Sequence, residues 1–584
     1  MKNLLKYLSE YKKECVLGPL FKLLEALFDL TVPLVTAVII DQGIGTRDQG
    51  IVWKYGGVLL LLAIIGLTCS ITAQYFAAKA AVGFAAKLRH ALFSHVEKLS
   101  FTEIDEIGTS TLITRMTSDI NQVQSGVNMA LRLFLRSPFI VLGAMVMAFC
   151  IDVKAALVFA VAIPALAVVV YGIMLISMPL YRKVQGALDQ VLLRTRENLT
   201  GVRVIRAFHR EREEEEEFVQ KNTELSKAQL FVGRISALTN PLTYVIINIA
   251  LVVLLWTSGL RIDVGDLSQG QVVALVNYLS QILVELIKLA NTIVLTNKSL
   301  ACAARIWNVL DTESSLGLSD KTGEAKRSNK SSHNSYHVEF LHAGLNYKGA
   351  SEPSVEDVCL SVKRGQTIGI IGGTGSGKTS LVHLIPRFYD ATAGEVCING
   401  INVKEMPLDE LRSKIGIVMQ KAVLFKGTIR ENLLWGNENA SDEEIREALE
   451  ISQSMEFVEK KENGIESMIE QGGRNLSGGQ KQRLTIARAL VRKPEILIFD
   501  DSTSALDYAT DAALRKGLKG LSYHPTIFMV SQRTSSICHA DQILVLDDGL
   551  VIGKGTHEEL LQTCETYREI HNTQFRDSKE VAKG

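Results

Sequence analysis

At 584 residues the chain is too long for one ordinary domain. It is 47% hydrophobic and 22% charged, with a mean hydropathy of +0.16, so an apolar part must be joined to a polar part. The net charge is zero, which removes charge as an argument for nucleic-acid binding. The eight cysteines form neither a C-x-x-C pair nor a zinc spacing and are expected as reduced thiols.

The first 13 residues place Leu4, Leu5, Leu8 and Tyr11 at helical spacing, which predicts a short helix on a membrane surface. Six segments are then long and apolar enough to cross a bilayer, near 16–40, 55–80, 134–151, 155–177, 241–260 and 271–294. Short links at 41–54, 152–154 and 261–270 join them in pairs. The long links at 81–133 and 178–240 are polar but helical in pattern, so they read as stalks. The second contains Arg194, Arg196, Arg203, Arg206, Arg210 and Arg212. The positive-inside rule puts both long links, both termini and the C-terminal half in the cytosol. Residues 1–310 thus read as an all-α membrane domain.

Some ionisable residues fall inside apolar segments. Lys22, Glu25 and Asp29 share a face of the first helix, and Glu285 and Lys288 sit three apart in the sixth. Arg132 and Arg136 lie at the inner end of the third. Charges at membrane depth are costly and should face a bundle interior or a watery cavity. Glu25, Asp29 and Glu285 are therefore candidates for a cavity that takes cationic ligands. Mutual pairing that only fixes helix packing is the other reading.

Residues 311–335 are rich in Ser, Lys, Asn and Gly and read as a linker. From 336 to 584 short β-type runs alternate with helices, as in an α/β domain. The run 367–371 is a buried-type strand. It leads into Gly372, Gly373, Thr374, Gly375, Ser376, Gly377, Lys378 and Thr379, which spell G-x-x-x-x-G-K-[ST]. Ser380 continues into a helix. In such a loop the backbone N–H groups cradle phosphates, Lys378 reaches the β- and γ-phosphates, and Thr379 can ligate Mg²⁺. The strand 495–500 ends in Asp500, a carboxylate suited to Mg²⁺. Between them, Leu476, Ser477, Gly478, Gly479 and Gln480 form a second small-residue helix start and a second anion site. One nucleotide does not need two such sites from one chain. Two chains facing head-to-tail would use both.

With these motifs in place the sequence resembles a half-transporter of the ATP-binding cassette exporter superfamily over essentially its whole length. The resemblance implies that Tyr347 stacks on adenine, that Gln420 contacts Mg²⁺, and that Asp500 is the Walker B carboxylate. It implies that Ser504, Ala505, Leu506 and Asp507 cross a dimer interface. It also implies coupling segments near 101–108 and 204–209, six long helices partly exchanged with a second chain, and ATP with Mg²⁺ as ligands.

Two positions depart from the family pattern: Asp501 stands where Glu is usual, and Gln532 where His is usual. Asp is a methylene shorter, and a misplacement of about 1 Å at a reacting centre can cost about 100-fold. Gln is neutral and carries no titratable proton. The expectation is a site that binds MgATP and hydrolyses it slowly, while the intact signature serves the site of a second, different half-transporter. The resemblance then extends to bacterial heterodimeric multidrug exporters in the inner cell membrane, exporting hydrophobic cationic small molecules. The alternatives are a homodimeric lipid or peptide exporter, or an ATP-gated regulator that transports nothing.

Overall fold

The computed structural model describes residues 2–316 and 336–581. Most of the expected linker, 317–335, lies outside the described residues. The chain divides into two compact units: Met1–Glu97 with Thr109–Thr312, and Lys98–Gly108 with Glu313–Gly584.

Among the described residues of the first unit six helices are long and apolar enough to cross a membrane: Leu4–Ile44, Gln49–Val96, Thr109–Ile151, Val153–Ala207, Glu211–Asp263 and Gln269–Leu310. Each of the six apolar segments falls inside one of them. The fourth has 55 residues. At 1.5 Å per residue that is about 80 Å, far beyond a hydrocarbon core of about 30 Å. The helices therefore run on through the long polar links. The N-terminal residues form a short helix of their own, Lys2–Tyr11, with Leu4 buried, and the backbone bends at Tyr11 (φ −101°, ψ 25°) before the helix Lys12–Val38 begins.

The short links end where side chains cap the next helix. Asp48 accepts from Gly50 N at 2.8 Å, and Asp152 from Ala155 N at 2.7 Å. Ser268 and Gln271 form a capping box. Each of these caps satisfies a backbone donor that the first turn leaves without a partner. The buried face of the bundle is rich in small residues, among them Ala26, Ala144, Ala148, Ala156 and Ala274. Small side chains let membrane helices approach closely. Tyr278, fully buried there, donates its hydroxyl to Leu30 O at 2.6 Å.

The second unit is built on a six-stranded sheet. Its order is Leu550–Gly555, Gln542–Asp547, Thr367–Gly372, Thr526–Val530, Ile496–Asp500, Ile415–Val418. All neighbours are parallel except the first pair. The three central strands are almost wholly buried and read as continuous apolar runs, as parallel strands covered on both faces must. A smaller antiparallel sheet, in the order Val355–Lys363, Tyr336–Leu345, Ala393–Ile398, Ile401–Asn402, accompanies it.

The segment Lys98–Gly108 comes from between two membrane helices in sequence, yet it packs as part of this second unit. Its short helix Phe101–Ile107 sets Phe101 on Phe388, with ring centroids 4.6 Å apart. Tyr389 donates its hydroxyl to Asp105 at 2.7 Å, and Lys348 pairs with Glu106 at 2.8 Å.

Candidate functional site

Sheet register decides which side chains meet. Val530 lies opposite Asp500 on one side and Ile370 on the other. The carboxyl ends of three parallel strands are thus level, the usual place for a ligand in an open α/β sheet. One strand leads into the loop 372–379, one ends at Asp500 and Asp501, and one leads into Ser531 and Gln532. Gln420 follows the neighbouring strand Ile415–Val418 and is exposed.

The loop's glycines do two different things. A Cβ on Gly372 would stand 2.1 Å from Leu546 O, and one on Gly377, at φ +88°, would stand 2.2 Å from Ser354 O. Backbone packing therefore forces both. At Gly373, and at Gly375 with its left-handed φ of +87°, a Cβ would meet nothing within 4 Å among the described residues, so these two leave open a concavity that a side chain would fill. Lys378 is buried and its Nζ donates to Gly372 O at 3.0 Å, to Gly373 O and to Ser376 Oγ. Burial lowers its pKa from the ordinary lysine value, an effect that Asp501 and Asp500 partly oppose. A buried ammonium held only by carbonyls and a hydroxyl, beside an open glycine cradle, fits a triphosphate.

Thr379 donates its hydroxyl to Asp500 Oδ1 at 2.7 Å. Tyr347 is half-buried; it shares a 3.0 Å hydrogen bond with Ser380 Oγ and meets Tyr389 edge-on. Asp501 is buried with φ +45°, a backbone region uncommon for a non-glycine residue. Its Oδ2 accepts from Gln532 Nε2 at 3.0 Å, and its Oδ1 has no hydrogen-bond partner among the described residues. Burial pushes its pKa above the ordinary carboxylate value. The Gln532 hydrogen bond lowers it, and the neighbouring Asp500 charge raises it. The two departures from the family pattern are thus in direct contact.

The signature residues lie on a separate element, the start of the helix Gly478–Val491. Ser477 Oγ accepts from Gln480 N at 3.3 Å, and Gln480 Oε1 accepts from Ser477 N at 3.0 Å. The sequence suggested an anion site here. Locally the same residues form a capping box, with Ser477 and Gly478 exposed and Leu476 buried. In the segment 504–507, Ser504 donates to Asp501 O at 2.7 Å. Asp507 caps the helix Tyr508–Lys519 through Thr510 N at 2.9 Å. Leu506 is buried, and Ala505 O lies 3.4 Å from where a Gly479 Cβ would stand.

Three residues that sequence reasoning did not assign join the site. Arg533 ties the segment 504–507 to the end of the strand Thr526–Val530 by donating to Ser504 O at 3.1 Å and Leu506 O at 3.2 Å. His383, buried on the helix after the phosphate loop, sets Nε2 3.5 Å from Asp500 Oδ2. Its position four residues after Thr379, on the same helix face, was a readable signal. Gln574, on the C-terminal helix, donates to Gln532 O at 2.7 Å and accepts from Thr534 N at 2.8 Å and Thr534 Oγ1 at 2.9 Å. No sequence pattern marks it.

In the membrane unit Glu25, Asp29 and Glu285 converge on one guanidinium. Arg136 reaches Glu285 at 2.7 Å, Asp29 at 2.9 Å and Glu25 at 3.7 Å. Lys22 pairs with Glu25, Lys288 with Glu285, and Ser137 donates to Glu285 Oε2 at 2.8 Å. Glu25 and Asp29 also line a cavity of about 450 Å³ with Val32, Leu59, Leu62 and Leu67. Glu285 does not line it; it is buried and engaged with Arg136, Lys288 and Ser137.

A six-helix membrane unit carried on the same polypeptide as a P-loop α/β unit defines an ATP-driven membrane transporter. Residues 15–286 match the family model of the ABC transporter transmembrane region, and residues 355–504 match that of the ABC transporter. An uncharacterised ABC transporter ATP-binding protein of Mycobacterium tuberculosis (strain ATCC 25618 / H37Rv) is 37% identical over 580 residues, covering 97% of each chain. The ATP-dependent lipid A-core flippase of Vibrio vulnificus (strain CMCP6) is 27% identical over 575 residues, covering 98% of this chain and 97% of its own. A solved bacterial Atm1-family ABC exporter with ATP bound shares the fold at a TM-score of 0.78 and 23% identity, covering 96% of this chain and 97% of that one. The chain belongs to the ABC transporter family, as an exporter half-transporter with its membrane and ATPase parts fused. It is a multi-span membrane protein whose nucleotide-binding domain binds ATP and couples its hydrolysis to export.

Proposed function

We propose that this chain is the slow-site subunit of a heterodimeric exporter of hydrophobic cationic small molecules, set in the inner cell membrane with both termini cytosolic. The contact between Asp501 and Gln532 carries the reading. A general base must reach its water, and here the carboxylate is short, buried and tied to a neutral amide. The site residues keep the roles their motifs imply. The loop 372–380 and Tyr347 bind the nucleotide. Thr379, Asp500 and Gln420 are the oxygen donors that would hold Mg²⁺, which neutralises phosphate charge when bound.

A second chain is supported by two exposed features. Ser477 and Gly478 face solvent at a capped helix start, ready to meet another chain's nucleotide. In the segment 204–209, Val204 is 60% and Phe208 74% exposed, an apolar knob suited to docking on a partner's ATPase domain. The segment 101–108 couples within the chain. Boundaries near 310 and 336 separate the membrane and ATPase domains. Substrate would meet the cavity beside Glu25 and Asp29, whose walls are largely apolar and where the Asp29 carboxylate, although paired with Arg136, stays 43% exposed toward an amphiphilic cation.

The test is Mg-ATPase activity of the chain alone and paired with a half-transporter that has Glu and His at the two positions. Low activity alone, full activity paired, and a gain from Asp501→Glu with Gln532→His support the reading. A single-chain dimer that already turns over ATP at the paired rate would sink it. That outcome would favour homodimeric lipid export instead, a reading that the likeness to a lipid A-core flippase supports.

A further inference from the structure

Outside the nucleotide-binding residues, two adjacent strands of the antiparallel sheet bring three different metal-binding side chains together. His342 lies on Tyr336–Leu345, and Asp357 and Cys359 lie on Val355–Lys363. Asp357 and Cys359 are two apart, so they share a face of their strand. Their ligand atoms and that of His342 all lie within 4.8 Å of one another, and all three residues are exposed. His342 Nδ1 is 2.6 Å from Asp357 Oδ1 and 3.5 Å from Cys359 Sγ.

The backbone holds His342 at this spot. The ladder shifts register between Phe340 and Ala343, and again between Leu341 and Gly344 on the other side. His342 (φ +51°) and Asp357 (φ +49°) both adopt the left-handed region, which few non-glycine residues do. Gly394 packs against the bulge so closely that a Cβ there would stand 2.1 Å from His342 O. The imidazole is thus carried to its place by a fixed backbone.

We propose that His342, Asp357 and Cys359 form a binding site for a borderline-soft divalent cation of the Zn²⁺ class. A thiolate at about 2.3 Å and an imidazole nitrogen at about 2.0 Å from a tetrahedral ion stand about 3.5 Å apart. That is the spacing the two side chains already have. The carboxylate needs only to give up its hydrogen bond to the imidazole and open by under ~1 Å to complete a third vertex. The fourth vertex faces solvent and would take water. The S/N/O donor set selects against Mg²⁺ and Ca²⁺, which prefer oxygen alone. Binding displaces the thiol proton to solvent and moves the His342 proton from Nδ1 to Nε2, so that Nδ1 can hold the ion, and it weakens in acid. The ion would clip the two strands together across the bulge.

The test uses the purified full chain, stripped of metal, in excess Mg²⁺ to keep oxygen-only sites filled. Cd²⁺ is added and its sulfur-to-cadmium charge-transfer band followed. One equivalent should bind and be displaced by Zn²⁺. Cys359→Ser should abolish the band. His342→Ala and Asp357→Asn should each weaken binding by at least ~10-fold, the least that changes even beyond a metal's direct ligands often cost. ATP binding should stay unchanged in all three, which controls for folding. A band that survives Cys359→Ser, or full affinity in either other variant, overturns the three-donor site. As an independent reading on the unaltered chain, Zn²⁺ should slow alkylation of Cys359 by about 10-fold, because the metal occupies the reactive thiolate. Unchanged alkylation under saturating Zn²⁺ overturns it as well.

Discussion

Two clusters of charged side chains, one in each unit, are balanced differently. In the membrane unit three cations, Lys22, Arg136 and Lys288, face three carboxylates, Glu25, Asp29 and Glu285, and every one of the six has an opposite partner. In the nucleotide site Lys378 rests on carbonyl oxygens, and Asp501 keeps one oxygen without a hydrogen bond among the described residues. Buried charges are tolerated when they neutralise one another, and they are expensive when they do not. The closed network holds helices together. The open one has bonds left to make, which is how a site prepared for a charged ligand differs from a packing device.

Breaking the closed network should give the largest effect. Arg136→Ala leaves Glu285 and Asp29 without their shared guanidinium and should cost about 3–5 kcal/mol, read as lost thermal stability of the detergent-solubilised protein. Arg136→Met with Glu285→Met removes both ends and should recover most of that loss. Failure of the double variant to recover would mean that the cluster does more than pair. Next, Lys378→Ala should weaken ATP binding to this chain by about 100-fold, with thermal stability nearly unchanged in the absence of nucleotide. A large loss of stability instead would make Lys378 part of a closed network too.

A smaller effect is expected from Asp501→Glu with Gln532→His. Hydrolysis by the chain's own site should rise about 10-fold, less than the roughly 100-fold that a fully placed general base contributes at the least. The smallest effect separates the two clusters by pH. Burial raises the pKa of Asp501 above its unfolded value, so the folded state holds that proton more tightly than the unfolded chain does. The charged form therefore costs stability at neutral pH, and the cost fades as pH falls through the raised pKa. Asp501→Asn should raise the melting temperature at pH 7 by about 2 °C, and the gain should shrink in acid. A gain that does not depend on pH would show that charge is not its source.

What could be read from the sequence follows from how local each feature is. The six helices were legible because a membrane span is a continuous apolar run, and the phosphate loop because its residues are consecutive. Asp500, Asp501 and Gln532 could be placed because each sits at the end of an apolar strand. The face shared by Lys22, Glu25 and Asp29 came from helical periodicity, but their partner Arg136 is on another helix and depends on tertiary packing. Gln574 was invisible for the same reason: it acts on residues 40 and 42 positions away. At Ser477 the S-x-x-Q spacing is itself the signature of a capping box, and the same small-residue helix start also fits an anion site, so the pattern alone does not separate the two. In the sequence Asp501 and Gln532 are two separate departures from the family pattern. Their hydrogen bond joins two strand ends whose level position only sheet register could supply.

The segment Lys98–Gly108 has a practical consequence for dissecting the molecule. A fragment cut to begin at Glu313 would lose Phe101 from the face of Phe388 and Asp105 from the hydroxyl of Tyr389. It would also lose Glu103, which accepts a hydrogen bond from the backbone of Ser315 at 3.2 Å. Such a fragment would carry a bare aromatic patch and should self-associate at high concentration. A synthetic peptide spanning 98–108 should then act as a small solubilising ligand, binding the excised ATPase half and quenching its aggregation. The same peptide added to the intact transporter would be a competitor for a place that the chain already fills with its own residues.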